Sequence, residues 1–283
     1  MNKTLFLSVV ACFLAGATFI GCKKDKNSDT SNSITSITAK VEDGERLNGI
    51  VDEVWAIIYY DDLNKMEIIE EAKYSNAGFK IDLPSNVNAA CLMPVGEVFE
   101  WLQNELEIID LDMNISISDK TAKFGVITLE GHDDTDSYVG IFSYENFDER
   151  QTMTSYSLVV AAAIYWYVDK NVTITASHSD SGIYEGVRYS ETVNFNLPLK
   201  KGWNGVYLLI EISARASGNS SATASLKLNT VEPTGLKWVF HDNFDDFDWD
   251  FFLKSTLKEN QRTIFHEKFQ IYSKINEILF SQK

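Results

Sequence analysis

Apolar and polar residues alternate along much of the chain between residues 34 and 240, a pattern typical of β-strands with one buried face. The alternation is clearest at 79–83, directly before Pro84. β-Branched and aromatic residues are frequent in these runs, and turn signals such as Asp43–Gly44 separate them. The pattern predicts strands at 34–42, 51–60, 66–74, 79–83, 89–95, 122–129, 138–144, 156–168, 172–176, 191–197, 205–212, 222–231 and 236–240.

Two of these runs allow more than one interpretation. Residues 156–168 are apolar on both faces, which predicts one central strand or two in succession. Residues 66–74 would also suit a helix. The turn residues at 76–78 and the alternation that follows favour a strand there.

Two other segments have helical spacing. In 97–106, apolar residues recur at Val98, Trp101, Leu102 and Leu106, which predicts a short helix and a joint between two halves of the chain. Segment 255–281 has an apolar face with Lys and Glu on much of the remainder, which predicts an amphipathic helix. Its apolar residues are Leu257, Ile264, Phe265, Phe269, Ile271, Tyr272, Ile275, Ile278 and Leu279.

The predicted fold is therefore mostly β, with two β-sandwich domains of immunoglobulin-like or transthyretin-like type and a C-terminal amphipathic helix. The predicted organisation is a signal peptide at 1–21, a linker at 22–33, sandwich domains at 34–115 and 116–240, and an acidic loop with the helix at 241–283.

The first 22 residues resemble a lipoprotein signal. Lys3 precedes an apolar run at 5–20, and the sequence 19–22 (Phe-Ile-Gly-Cys) resembles the bacterial lipobox. This resemblance implies that the thiol of Cys22 receives a diacylglyceryl group and that a peptidase cleaves before it. An ordinary signal peptide cut elsewhere and an N-terminal membrane helix are the alternatives. The polar run at 23–33 would serve as a flexible tether.

Charge and cysteine content limit the partners. The net charge is −16, and −17 once Lys3 is removed with the signal, which argues against nucleic acid and anionic headgroups as partners. Cys12 lies in the signal and Cys22 would carry lipid, so Cys91 has no partner for a disulfide. Cys91 lies in an apolar run, which favours a buried structural thiol over a nucleophile.

No motif indicates a metal site or a cofactor. The four histidines are scattered without HExxH or similar spacing, which argues against zinc. The alternating aspartates at 246–250 have the spacing of a calcium loop, but Phe251 and Leu257 stand where such a loop needs Gly and Glu. We interpret them, and the acidic cluster at 132–136, as solvated acidic loops, with a nonstandard calcium site as the alternative at 246–250.

Catalytic motifs are equally weak. Ser255 and Lys258 match the Ser-x-x-Lys pattern of serine acyltransferases, but the Ser-Asp-Asn and Lys-Thr-Gly partners of that chemistry are missing. Helix N-terminus chemistry explains them better. Paired carboxylates for glycoside hydrolysis stay open, because 41 acidic residues produce close pairs in any fold.

Aromatic residues are the remaining candidates for binding. Tyr165 and Tyr167 share one face of the predicted strand, and with Trp203 they could form a platform for stacking sugars. Trp55 and Trp101 are further candidates for this platform. Packing in the core is the alternative for all of these rings.

Several strand and turn segments resemble a group of uncharacterised Bacteroidetes-type lipoproteins. The segments are 37–41, 78–84, 167–174, 199–204 and 233–238. The resemblance implies a surface-anchored β-sandwich protein and supplies no catalytic residues.

These observations predict a non-enzymatic protein anchored by lipid to the outer membrane, with the membrane face undetermined. Its expected role is to bind a glycan or a protein, without a cofactor and without nucleic acid. A fimbrillin-like structural or adhesive subunit is the first alternative, and an envelope hydrolase is the second.

Overall fold

The structure, a computed structural model, describes residues 33–60, 65–100, 113–184, 186–215 and 220–242. These residues are mostly β, as the alternation predicts. Their strands are β1 (Ser33–Ile34), β2 (Ser36–Lys40), β3 (Glu53–Tyr60), β4 (Lys65–Lys73), β5 (Gly78–Asp82), β6 (Met93–Pro94), β7 (Asn114–Ile117), β8 (Lys123–His132), β9 (Tyr138–Gln151), β10 (Ser155–Val168), β11 (Val172–Tyr184), β12 (Val187–Leu199), β13 (Gly202–Arg215), β14 (Ser221–Asn229) and β15 (Lys237–His241).

One large sheet contains most of the strands. Its order is β4-β3-β8-β9-β10-β13-β14-β12-β11-β7. In addition, β1 pairs with β13, β6 with β8 and β15 with β9. β12 and β14 pair in parallel, whereas β2 and β5 form a separate two-stranded sheet. Because β3 pairs with β8, strands from both sides of residue 115 belong to one sheet. The two predicted sandwiches would therefore share that sheet, and the boundary between them stays a prediction.

The large sheet has a hydrophobic core on each face. The C-terminal core includes Phe124, Leu158, Trp166, Leu197, Leu208 and Leu226. The N-terminal core includes Ile37, Val54, Ile81, Leu129, Phe142 and Trp238. β10 contributes to both, because its side chains alternate: Trp166 enters the C-terminal core and Tyr167 enters the N-terminal core. Residues 156–168 therefore form one central strand. They are apolar on both faces because each face packs into one of the two cores.

The two-residue connection between β12 and β13 is held by a buried asparagine. The side chain of Asn204 donates to the carbonyl oxygens of Lys200 (2.7 Å) and Gly202 (2.9 Å) and accepts from the Lys200 N–H (2.9 Å). Gly202 has a φ of 99°, which a residue with a side chain adopts only under strain. At the same end of the sheet, Ser33 of β1 pairs with Asn204. The described chain thus begins beside this connection.

Some predicted elements differ from the observed ones. The predicted strand at 89–95 is wrong for its first half, where Ala89–Cys91 form a 3-10 turn because the Asn88 side chain accepts the N–H of Ala90 at 3.1 Å. Residues 95–100 are helical, in agreement with the start of the predicted helix at 97–106. The rest of that helix and the predicted helix at 255–281 lie outside the described residues. Among the described residues, no helix is long and apolar enough to span a membrane.

Candidate functional site

An acid–aromatic cluster lies on the face of β3, β8 and β9 opposite the N-terminal core; we define it as Trp55, Tyr59, Glu130, His132 and Tyr138. Val54, Ala56 and Ile58 point into the core, so the alternate positions of β3 point to the other face. Trp55 pairs across the strands with Glu130, and His132 pairs with Tyr138. A β-bulge between Gly131 and His132 turns Tyr138 towards this face.

Three aromatic rings of the cluster are in contact. The rings of Trp55 and His132 stack with centroids 3.8 Å apart and planes 16° apart. Tyr138 meets His132 edge to face, with centroids 6.3 Å apart, and is itself 47 % exposed. Such ring pairs contribute about 0.5–1.5 kcal/mol beyond the burial of their area. The cluster therefore has a buried imidazole, a half-buried indole and an accessible phenol.

The loop after β8 fixes the orientation of His132. The Nδ1 atom of His132 lies 3.1 Å from the carbonyl oxygen of Asp136, and because a carbonyl can only accept, Nδ1 carries the hydrogen. The Asp133 carboxylate accepts from the Thr135 hydroxyl (2.7 Å) and from the N–H groups of Thr135 (2.8 Å) and Ser137 (3.0 Å). These hydrogen bonds, that from the Thr135 hydroxyl first, hold the pKa of Asp133 below its usual value. This loop is therefore an ordered turn, and its residues 134–136 are exposed, in agreement with the solvated acidic loop predicted at 132–136.

Two carboxylates set the electrostatics of the cluster. Buried Glu130 accepts the Tyr59 hydroxyl at 2.6 Å, and its other oxygen lies 3.5 Å from His132 Nε2, which makes no hydrogen bond. Glu53 accepts the Trp55 indole N–H at 3.2 Å. Burial, followed by the charge of Glu130, raises the pKa of Tyr138 to about 12, so its hydroxyl stays a donor at neutral pH. The cluster therefore favours neutral or cationic ligands over anions.

The structure buries the three aromatics that the sequence suggested as a platform. Tyr165, Tyr167 and Trp203 all lie in the N-terminal core, and Trp203 is 2 % exposed. Tyr167 and Trp203 do meet, edge to face with centroids 5.3 Å apart, and the indole N–H of Trp203 donates to the carbonyl oxygen of Pro84 at 2.8 Å. Because core packing encloses these rings, none of the three offers a face for sugar stacking in this conformation. Of the aromatics considered, Trp55 belongs to the acid–aromatic cluster.

Other candidate residues have structural roles or fall outside the described chain. Cys91 is buried, as predicted, and its thiol lies 2.9 Å from the carbonyl oxygen of Asn88. Burial raises the pKa of this thiol to about 11, which keeps it protonated and unreactive. Among the described residues, no three His, Cys, Asp or Glu side chains are placed to hold a metal ion. Candidates outside the described residues are Cys22, Trp101, the aspartates at 246–250, Ser255, Lys258 and His266.

The sequence contains a signal for the cluster that the strand prediction missed. The predicted strand ended at Leu129, whereas β8 extends to His132. On the longer strand, Glu130 and His132 share a face with Thr128 by simple alternation. Their contact with Trp55 depends on the pairing of β3 with β8, which places Trp55 opposite Glu130, 75 residues later in the chain. Periodicity within one strand does not specify such a pairing.

Comparisons with protein-family models, with curated proteins and with solved structures found no match.

Proposed function

We propose that this chain is a non-catalytic, lipid-anchored protein of the outer membrane that binds a neutral glycan at the acid–aromatic cluster. The stack of Trp55 on His132 beside the accessible ring of Tyr138 carries this proposal. The lipid would be attached to Cys22. The division into sandwich domains at residue 115 and the amphipathic helix at 255–281 belong to the same proposal.

The chemistry of the cluster suits a sugar. Ring faces of Trp and Tyr pack well against the apolar faces of sugar rings, while fixed polar groups orient the hydroxyls. Glu53 and Glu130 present carboxylate oxygens as acceptors, and both are oriented by donors from the cluster itself, the indole of Trp55 and the hydroxyl of Tyr59. The chain's net charge of −16 and these carboxylates disfavour sulfated sugars and uronic acids.

A glycan array probed with the Cys22→Ala form tests the proposal. We expect binding to neutral oligosaccharides and none to sulfated or uronic-acid chains. Tyr138→Ala removes an exposed ring, so it should weaken binding about tenfold without unfolding the protein, since tenfold corresponds to about 1.4 kcal/mol. Trp55→Ala should weaken binding at least as much.

Phe147→Ala is the matched control, because Phe147 is 46 % exposed on the same strand as Tyr138 but is not part of the cluster. Circular dichroism of each variant establishes that the fold is intact. An array without signal would refute glycan binding. Glycan binding that Tyr138→Ala leaves unchanged would refute the assignment to this cluster, and retention of a protein partner alone would favour the structural-subunit alternative.

A further inference from the structure

A buried carboxyl group with one oxygen that lacks a hydrogen-bond partner lies at one end of the C-terminal core. Glu191 on β12 points inwards with Val193, Phe195 and Leu197, because these residues alternate with polar ones along the strand. Its side chain is 2 % exposed, and its Oε1 atom has no hydrogen-bond partner. Buried carboxyl groups are normally satisfied by donors, and no described residue donates to this oxygen, so it is in place for an outside donor.

The inward residues of β14 and β13 near Glu191 are apolar. Ala224 of β14 pairs with Glu191, and Ala222 is the next inward residue on that strand. Ala214 of β13 pairs with Ala222. Further along, the same face of β14 carries Leu226 and Leu228, which fill the core. Near Glu191, β14 therefore carries alanines in place of leucines, and these small apolar side chains cannot donate a hydrogen bond to Glu191.

Acidic and aromatic side chains surround this end of the core. Asp180 of β11 pairs with Glu191, and its carboxylate accepts the Tyr189 hydroxyl at 3.0 Å. Buried Tyr156 of β10 pairs with Ala214, and Glu149 of β9 is close enough to raise the pKa of Tyr156, after burial. Asp180 is exposed, so a carboxylate at the surface lies beside the buried carboxyl group of Glu191.

The arginines near this end of the core lie on the other face. Arg188 and Arg215 occupy the alternate, solvent-facing positions of β12 and β13. His178 shares the inward face of β11 two residues before Asp180, whereas the inward residues of β13 and β14 are apolar. Carboxylates therefore dominate the field at this end of the core.

We propose that this acidic end of the C-terminal core, formed by Glu191, Asp180, Tyr156, Tyr189 and the three alanines, binds an organic cation that carries a primary ammonium group on an apolar body. The ammonium donates to the carboxyl oxygens of Glu191 and Asp180. The tyrosine rings attract the cation through their π faces. The alanine methyl groups pack against the apolar body. This site is separate from the acid–aromatic cluster and does not rest on the proposed glycan binding.

The protonation of Glu191 couples binding to pH. Burial, followed by the charge of Asp180, raises the pKa of Glu191 to about 8, so the free protein holds this carboxyl neutral at pH 7. A bound ammonium favours the carboxylate, so binding below pH 8 releases the proton to solvent. Affinity for the cation should therefore rise with pH, up to about tenfold per pH unit.

Calorimetry with benzylamine tests this site on the full chain in its Cys22→Ala form. Benzyl alcohol, of nearly the same size but uncharged, is the ligand control. We expect benzylamine to bind at least tenfold more tightly than the alcohol at pH 7, and several-fold more tightly at pH 7 than at pH 6. Glu191→Gln should weaken benzylamine binding at least tenfold and remove most of this pH dependence.

Glu70→Gln, an exposed change on β4, should leave benzylamine binding unchanged. Asp180→Asn offers a second test that leaves the buried carboxyl in place, and it should weaken binding several-fold. Near-ultraviolet circular dichroism checks the fold of each variant. The proposal is overturned if benzylamine does not bind, if benzyl alcohol binds equally well, or if Glu191→Gln keeps the wild-type affinity.

Discussion

Burial of Glu191 should make the stability of this protein depend on pH. The folded state keeps the carboxyl neutral, with a pKa of about 8, whereas an exposed glutamate in the unfolded chain titrates near 4.5. Below pH 4.5 both states are protonated and the group has no effect on stability. Between pH 4.5 and 8 only the unfolded state ionises, so the free energy of unfolding falls, and above pH 8 the loss is complete.

The size of the effect follows from the two pKa values. Each pH unit between them costs about 1.4 kcal/mol, so the full loss is about 5 kcal/mol, and most of it is present at pH 7. Glu191→Gln keeps the size of the side chain and cannot ionise. The variant should therefore match wild type near pH 4.5 and exceed its free energy of unfolding increasingly as pH rises.

Urea denaturation at pH 5, 6, 7 and 8, followed by tryptophan fluorescence, measures this difference. Other groups titrate in the same range, so the informative quantity is the free energy of unfolding of the variant minus that of wild type. For the control Glu70→Gln, this difference should stay within about 0.5 kcal/mol at every pH. A difference for Glu191→Gln that does not grow by about 1 kcal/mol or more per pH unit would refute the reasoning. So would a variant that is less stable than wild type at pH 8.

Three further predictions follow from other features. Cys22→Ala should move the protein from the membrane fraction to the soluble fraction, and continued membrane association would contradict a lipid anchor at Cys22. Trp203→Phe leaves the carbonyl of Pro84 without its donor, so the free energy of unfolding in urea should fall by about 1–3 kcal/mol; a change under 0.5 kcal/mol would contradict this role. The hydrogen bond from His241 to Glu145 raises the pKa of His241 above 6.5, so its stabilisation is present below pH 6.5 and is lost as pH rises through the folded value. A pKa of His241 at or below 6.5, measured by NMR titration, would contradict this prediction.

The sequence predicted the strands better than their partners. The run at 156–168 is apolar on both faces, which predicted a central strand. In β10, alternate side chains of this run do enter two different cores. The pairing of β3 with β8 and the insertion of β14 between β13 and β12 depend on packing across the whole chain, so no local pattern contained them. The polar half of β11 was missed because Ser177, Ser179 and Ser181 lack the β-branched residues that indicate a strand.

The candidate sites were predictable to different degrees. Alternation in 191–197 already places Glu191 on the face of Val193, so a buried acid could have been inferred there. The stack of Trp55 on His132 could not, because it needs a long-range pairing and a bulge. Tyr167 and Trp203 were correctly associated with each other, but the sequence does not distinguish an aromatic pair inside a core from one on a surface.

The pairing of Ser33 with Asn204 determines how an anchored molecule would display its sites. On β10, Asn204 pairs with Trp166, and Phe124 at the start of β8 pairs with Val168, two residues further along. The tether that precedes Ser33 would therefore enter at the end of the sheet where β8 begins. From that end, His132 lies eight residues along β8 from Phe124. Ile212, which is level with Glu191, lies eight residues along β13 from Asn204. Each span corresponds to about 27 Å of strand. With lipid on Cys22, both proposed sites would point away from the bilayer, towards ligands that approach from the surrounding medium.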